Sequence, residues 1–309
     1  MADNSCAQGM IMQASNTTAS SQTLDSNTPI VLTIAGSDSG GGAGIQADIK
    51  AISATHSYAA SVITALTAQN TQGVSGIYPI EPAFVASQLD AVFTDLNIVA
   101  VKIGMLSDSK IIQVVADKLK QYQPQHIVLD PVMVATSGDM LLEESAVASL
   151  KQYLLPLADL ITPNLPEAAA LTGQSVPQTK AQMHQLIDAI RALDAKACLL
   201  KGGHLESDAD SVDLLIAHDV YELSAKRVAT QNTHGTGCTL SSAIASYLAQ
   251  GHELAHAVLL GKTYLTQALS YANELAVGQG HGPVHHFYAQ RHTNAAQPQV
   301  LITKVSQNG

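Results

Sequence analysis

From Pro29 onward, short apolar runs alternate with amphipathic stretches along the chain. Six runs have the character of strands: residues 30–35, 60–66, 99–104, 127–130, 160–162 and 197–201. Several are apolar at consecutive positions, as in parallel strands covered by helices on both faces. Between them, 110–121 carries Ile111, Val114, Val115 and Leu119 on one helical stripe, and 179–193 reads as a second helix. Strand, helix, strand, repeated, predicts an α/β fold around a mostly parallel sheet. Residues 212–216 and 220–223, separated by Ala-His-Asp, predict a hairpin, and two long helices are predicted over 235–250 and 253–276. Residues 1–28 are rich in Ser, Thr, Asn, Gln and Ala without apolar periodicity, which predicts a flexible polar extension. One folded domain is expected over 29–291 and a tail over 292–309, polar apart from Val300-Leu-Ile302.

Composition narrows the function. Apolar residues make up 46% of the 309 residues, enough for a large core. The formal charge of −10 argues against nucleic acid as a partner, because phosphate-backbone binding draws on a lysine and arginine surplus. No apolar run approaches the roughly 20 residues that span a bilayer, so no membrane partner is expected. The start lacks a basic segment followed by an apolar core, and Cys6, Cys198 and Cys238 are too few and scattered for a disulfide framework. A reducing cytoplasm is the expected location.

Candidate chemistry gathers at the ends of the predicted strands, where open parallel sheets bind ligands. His234-Gly-Thr-Gly-Cys238 opens a predicted helix, so backbone N–H groups and the helix dipole at Gly235, Thr236 and Gly237 favour a phosphate or developing anion. A thiol at that opening is expected to have a lowered pKa, fitting Cys238 as base or nucleophile; the alternative is a tight turn with Cys238 as core filler. Ala35-Gly-Ser-Asp-Ser-Gly-Gly-Gly-Ala-Gly44 matches neither the dinucleotide fingerprint nor a P-loop, and cradles a ligand or makes a turn. Asp48, one turn into the next helix, compensates the dipole or faces a site. Gln69 and Asn70 suit the edge of a nitrogen heterocycle, or cap a loop. Asp130 holds a metal or caps a helix. Asn164 and Glu167 neighbour magnesium and phosphate, or form a capping box. Lys201, in Lys201-Gly-Gly-His204, meets a phosphate or a solvated turn. Taken together, a phosphate cradle, acids and a strand-end lysine describe phosphoryl transfer.

These segments, with Thr64-Ala-Leu-Thr-Ala-Gln-Asn-Thr71, Lys102-Ile-Gly-Met-Leu106, Thr162-Pro-Asn-Leu-Pro-Glu167 and Gly282-Pro-Val-His-His286, closely resemble the hydroxymethylpyrimidine/phosphomethylpyrimidine kinases of thiamine biosynthesis, of the ribokinase-like superfamily. The resemblance runs from about Ile30 to Phe287. It implies a three-layer α/β/α sandwich without a separate lid domain, usually as a homodimer, and transfer of phosphate from ATP to 4-amino-5-hydroxymethyl-2-methylpyrimidine and then to its monophosphate. By position it implies that Gln69 and Asp48 read the aminopyrimidine edge, and that Gly36, Ala43, Met105 and Val132 frame the ring. Gly235, Thr236 and Gly237 would form the anion hole, with Cys238 as base. Asn164, Glu167 and Lys201 would face the nucleotide phosphates, and Asp130 with Glu167 would serve Mg2+. The alternatives are a pyridoxal kinase of the same superfamily and a non-catalytic pyrimidine sensor.

Overall fold

The computed structural model describes residues 28–133, 144–203, 205, 210–293 and 298–305. Nearly all of the expected N-terminal extension lies outside them. In chain order the elements are β1 (Ile30–Asp38), α1 (Gly44–Ala54), β2 (Tyr58–Asn70), β3 (Gly73–Pro79), α2 (Pro82–Asp95), β4 (Ile98–Ile103), α3 (Ser109–Tyr122) and β5 (His126–Leu129). Then come α4 (Glu144–Ser149), extended by π and 3-10 turns to Leu157, β6 (Leu160–Ile161), α5 (Leu165–Thr172), α6 (Lys180–Gln185), α7 (Ile187–Arg191) and β7 (Cys198–Lys201). The chain closes with β8 (Asp210–Ile216), β9 (Val220–Lys226), α8 (Thr236–Ala249), α9 (Leu254–Ser270), α10 (Tyr288–Arg291) and β10 (Leu301–Lys304).

The strands form one sheet in the order β10-β9-β8-β7-β6-β5-β4-β1-β2-β3. From β2 through β7 every neighbouring pair is parallel, while β3 and the β8-β9-β10 ribbon add antiparallel edges. The two-residue side-chain period divides each central strand between two cores. Leu32, Ile34, Val101, Ile103, Leu129, Ile161 and Leu200 point into one, with Leu89 of α2, Ile111, Val115 and Leu119 of α3, Leu165 of α5 and Met183 of α6. Val31, Ala100, Val128, Leu160 and Leu199 point into the other, with Ile52 of α1, Leu240, Ile244 and Leu248 of α8 and Val258 of α9. This is the expected three-layer α/β/α sandwich around a mostly parallel sheet.

Three elements differ from expectation. The helix expected over 179–193 is two, α6 and α7, meeting at Leu186. β2 extends to Asn70 and turns back into β3, whose residues from Ser75 to Pro79 are exposed and offer no buried face for a pattern to reveal. The tail expected over 292–309 is part of the fold at 301–304, where β10 pairs with β9 and buries Ile302.

Candidate active site

The chain leaves β1 for β2 on one side and returns to β4 on the other, so the strand order reverses at β1 and opens a crevice beyond the strands' carboxyl ends. A cleft of about 950 Å³ occupies that place. It is lined by Gly36 and Ala43 after β1, Gln69 at the end of β2, Met105 after β4, and Asp130, Val132, Asn164, Glu167 and Lys201 at the ends of β5–β7. Gly235, Thr236, Gly237 and Cys238 at the start of α8 also line it.

At the β1 end, Asp38 organises the glycine-rich loop. Its carboxylate accepts from the amides of Gly40 (2.8 Å), Gly42 (3.0 Å) and Ala43 (2.8 Å), and Oδ2 lies 2.8 Å from His234 Nε2. Burial raises the Asp38 pKa, but the His234 hydrogen bond and the Ala43 and Gly40 amides outweigh it and hold the carboxyl below its ordinary value. Thr67 Oγ1 sits 2.9 Å from the Ser37 carbonyl and 3.0 Å from Gln69 Oε1, while Gln69 Nε2 lies 3.4 Å from His234 Nε2. Neither Asp38 nor His234 stands out as a candidate in the sequence; an aspartate entering a glycine loop, where it can bond its own backbone, is the one local signal for the first.

Glycine at 235 is demanded twice over. Its φ is +78°, and a Cβ there would collide with the Gly42 carbonyl oxygen. It is the N-cap of α8 and brings no side-chain cap. The amides of Gly237 and Cys238 meet no partner among the described residues, leaving donors of the kind that bind anions at helix starts.

The other end is charged. Lys201 Nζ donates to Asp130 Oδ1 at 2.9 Å, and Thr162 Oγ1 donates to the same oxygen at 3.0 Å. Burial works against the Lys201 charge, but Asp130 and Glu167 outweigh it and hold the ammonium above its usual pKa. Asn164 and Glu167 form a full capping box on α5, each side chain bonded to the other's backbone amide at 2.8 Å. The capping reading therefore holds, and Glu167 faces the cleft as well. Burial, opposed by Lys201 and assisted by Asp130, pushes its pKa up to about 7. A Cβ on Gly237 would lie 3.2 Å from Asp130 Oδ2 and 3.3 Å from Lys201 Nζ, so the first turn of α8 rests on this ion pair.

No group of three or more His, Cys, Asp or Glu that could hold a metal exists among the described residues. Two carboxylates are what magnesium needs when phosphates and water complete its shell. Asp130 Oδ2 takes no hydrogen bond from a described residue, so the donor set fits a magnesium ion arriving with a nucleotide.

Two expectations need correction. Asp48 does not line the cleft. It is fully buried beneath it, where its carboxylate receives Lys102 Nζ (2.8 Å to each oxygen), Thr33 Oγ1 (2.6 Å) and Ser242 Oγ (2.8 Å). With four donor contacts inside the protein, it has no edge to offer a substrate. The Cys238 thiol, expected to have a lowered pKa at its helix start, is instead pushed up to about 11 by burial, with Asp48 and Asp130 adding to the rise and Lys102 opposing it.

The model of the phosphomethylpyrimidine kinase family matches residues 38–285. The chain is 53% identical over 262 residues to the hydroxymethylpyrimidine/phosphomethylpyrimidine kinase of Rhizobium meliloti, covering 84% of this chain and 98% of that one. Among solved structures it is similar to the pyridoxal kinase of Staphylococcus aureus in complex with AMP-PCP and pyridoxal, with a TM-score of 0.80 at 29% identity over 90% of this chain and all of that one. It is also similar to the phosphomethylpyrimidine kinase of Clostridium difficile, with a TM-score of 0.68 at 45% identity over 78% of this chain and all of that one. A strand-end cleft with a helix-start anion hole, a lysine–aspartate pair and these relatives lead to one assignment: the chain belongs to the phosphomethylpyrimidine kinase family of phosphotransferases.

Proposed function

We propose that this protein transfers the γ-phosphoryl group of ATP to 4-amino-5-hydroxymethyl-2-methylpyrimidine and then phosphorylates the monophosphate, serving thiamine biosynthesis. The observation that carries this reading is the seat of α8. Its open amides at Gly237 and Cys238 lie between the Gln69 end of the cleft and the Lys201–Asp130 pair. A phosphoryl group in flight between two oxygens needs positioning and charge neutralisation more than covalent help.

In this reading Gln69 meets the aminopyrimidine edge, and Gly36, Ala43, Met105 and Val132 enclose the ring. The α8 amides stabilise the transferring group, while Lys201, with Asn164 and Glu167 nearby, neutralises the nucleotide phosphates. Asp130 and Glu167 would hold Mg2+, which supplies further neutralisation of phosphate charge when bound. Cys238 takes the hydroxymethyl proton. With its thiol pKa near 11, only a small share is thiolate at neutral pH, so kcat rises with pH toward that value. Cys238→Ala then lowers kcat by about 10²–10⁴-fold. A flat profile with an active alanine variant would instead make Cys238 a packing residue. Pyrimidine-dependent ADP release in the presence of magnesium tests the whole reading, and no release with either pyrimidine refutes it.

Pyridoxal is a second acceptor to assay, because the backbone matches the S. aureus pyridoxal kinase at a TM-score of 0.80. The protein acts in the cytoplasm, consistent with the free thiols of Cys198 and Cys238. Among the described residues no helix is long and apolar enough to cross a membrane. It works as a homodimer, supported by Leu66, Ile77 and Tyr78, which stand exposed on the β2–β3 edge. Sedimentation equilibrium giving a monomer at micromolar concentration would remove that element.

A further inference from the structure

Asp38 and His234 join two segments that line the cleft, the glycine-rich loop and the start of α8. Asp38 ends β1 and is 2% exposed. Its Oδ1 accepts from the Gly40 amide at 2.8 Å, and its Oδ2 accepts from Gly42 at 3.0 Å and Ala43 at 2.8 Å. Those amides fix the loop as far as Ala43, which is the N-cap of α1 and lines the cleft. Oδ2 also lies 2.8 Å from His234 Nε2. A carboxylate only accepts, so the one proton on Nε2 is donated to Asp38.

His234 immediately precedes Gly235, the N-cap of the helix whose open amides belong to Gly237 and Cys238. Gly235 packs straight onto the loop. A Cβ there would meet the Gly42 carbonyl oxygen and lie 3.2 Å from Ala43 Cα. Contact of this kind stops two backbones from coming closer, but its attraction is small and does little to keep them together. The Asp38–His234 hydrogen bond supplies a directional attraction across the same junction, strengthened by the charge on the carboxylate and by burial. One carboxylate therefore sets both the loop beside the ring site and the helix start that faces the phosphoryl group.

We infer that Asp38 and His234 are positioning residues that hold the start of α8 in register with the glycine-rich loop, and thereby hold the transferring phosphoryl group in line with the acceptor hydroxyl. This rests on the pyrimidine-kinase reading. Neither side chain needs to touch the reacting atoms. If the junction loosens, the ring keeps its contacts at Gln69 and the nucleotide keeps Lys201, so ground-state binding survives. The separation between acceptor oxygen and phosphorus does not, and the rate depends steeply on it. The loss is therefore expected in kcat and not in either KM.

The test measures kcat, both KM values and the melting temperature in the parent, His234→Ala, His234→Gln and Gly42→Ala. His234→Ala removes the donor and leaves Asp38 its three amides. It should lower kcat about 10²-fold, with both KM values near the parent's. Glutamine returns a neutral N–H donor of similar reach and should recover most of that loss. Gly42→Ala works from the opposite side. Gly42 is outside the left-handed region, so alanine suits its backbone, but the added Cβ would meet His234 Cδ2 and push the imidazole off Asp38. This change should lower kcat in the parent, yet alter it less than about twofold once His234→Ala is present. General structural damage would instead lower the melting temperature and appear in both backgrounds. If His234→Ala does not fold, Gly42→Ala against the parent decides. Parental kcat in the folded variants, or a glutamine variant no better than the alanine one, overturns the inference. A parent without pyrimidine-dependent ADP release overturns the kinase reading and the inference with it.

Discussion

Two lysine–aspartate pairs flank the start of α8, and they have opposite surroundings. Lys102 and Asp48 are both fully buried, joined at 2.8 Å, and tie β4 to α1, with Thr33 adding β1 and Ser242 adding α8. Lys201 and Asp130 are joined at 2.9 Å but line the cleft, and Asp130 keeps one oxygen open toward Gly237. Burial opposes charge on both lysines, and in both the neighbouring carboxylates prevail. What separates them is access. A pair sealed by four elements can only hold the floor of the site in place, whereas a pair with an unspent oxygen and an open face can meet a ligand.

The sharpest way to break this division is at the sealed pair. Lys102→Met leaves Asp48 charged and without its ammonium partner, and should cost about 3–5 kcal/mol of stability, read by urea denaturation. Asp48→Asn combined with Lys102→Met should recover much of the loss. If Lys102→Met leaves stability intact, the pair is not the structural brace described. Next comes the open pair. Lys201→Met should lower kcat about 10²–10³-fold with little change in melting temperature; a variant that unfolds with its rate preserved would reverse the roles assigned to the two lysines.

Glu167 sharpens the comparison through pH. Its pKa rises from an ordinary 4.5 to about 7 on folding, so its protonated form is favoured in the native state. The associated stability is present below about pH 4.5 and is lost as pH rises through 7. Glu167→Gln keeps a cap acceptor without the charge. It should therefore be about 1–3 kcal/mol more stable than the parent at pH 8 and no more stable near pH 4.5, while needing more magnesium for activity. Thermal melts at the two pH values check the sign. The smallest effect is at Gln69, where Gln69→Leu should raise the KM for the pyrimidine by the equivalent of about 1–3 kcal/mol and spare that for ATP. Equal pyrimidine KM values would move the ring elsewhere in the cleft.

The fold is most legible in the sequence where burial is symmetrical. β1, β4, β5 and β7 are apolar on both faces because both are covered, and their runs were legible for that reason. β3 and β10 are edge strands without two buried faces, so their residues carried too little pattern. The cleft residues were legible as strand-end motifs and through the family resemblance. Asp48 was not, because its surroundings are assembled from afar. Its partners Thr33, Lys102 and Ser242 stand 15, 54 and 194 positions away, and nothing local says that it faces them. The Cys238 thiol is a second case of distant surroundings. A helix start argues for a lowered pKa, but burial and the acids brought near by other elements reverse it.

The most direct measurement follows the phosphate itself. With γ-labelled ATP, magnesium and 4-amino-5-hydroxymethyl-2-methylpyrimidine, label should appear first in the pyrimidine monophosphate and then in the diphosphate. The same preparation carrying Lys201→Met should form both about 10²–10³-fold more slowly. Label found only in inorganic phosphate, or transfer that Lys201→Met leaves untouched, would contradict the assignment of this cleft to phosphoryl transfer.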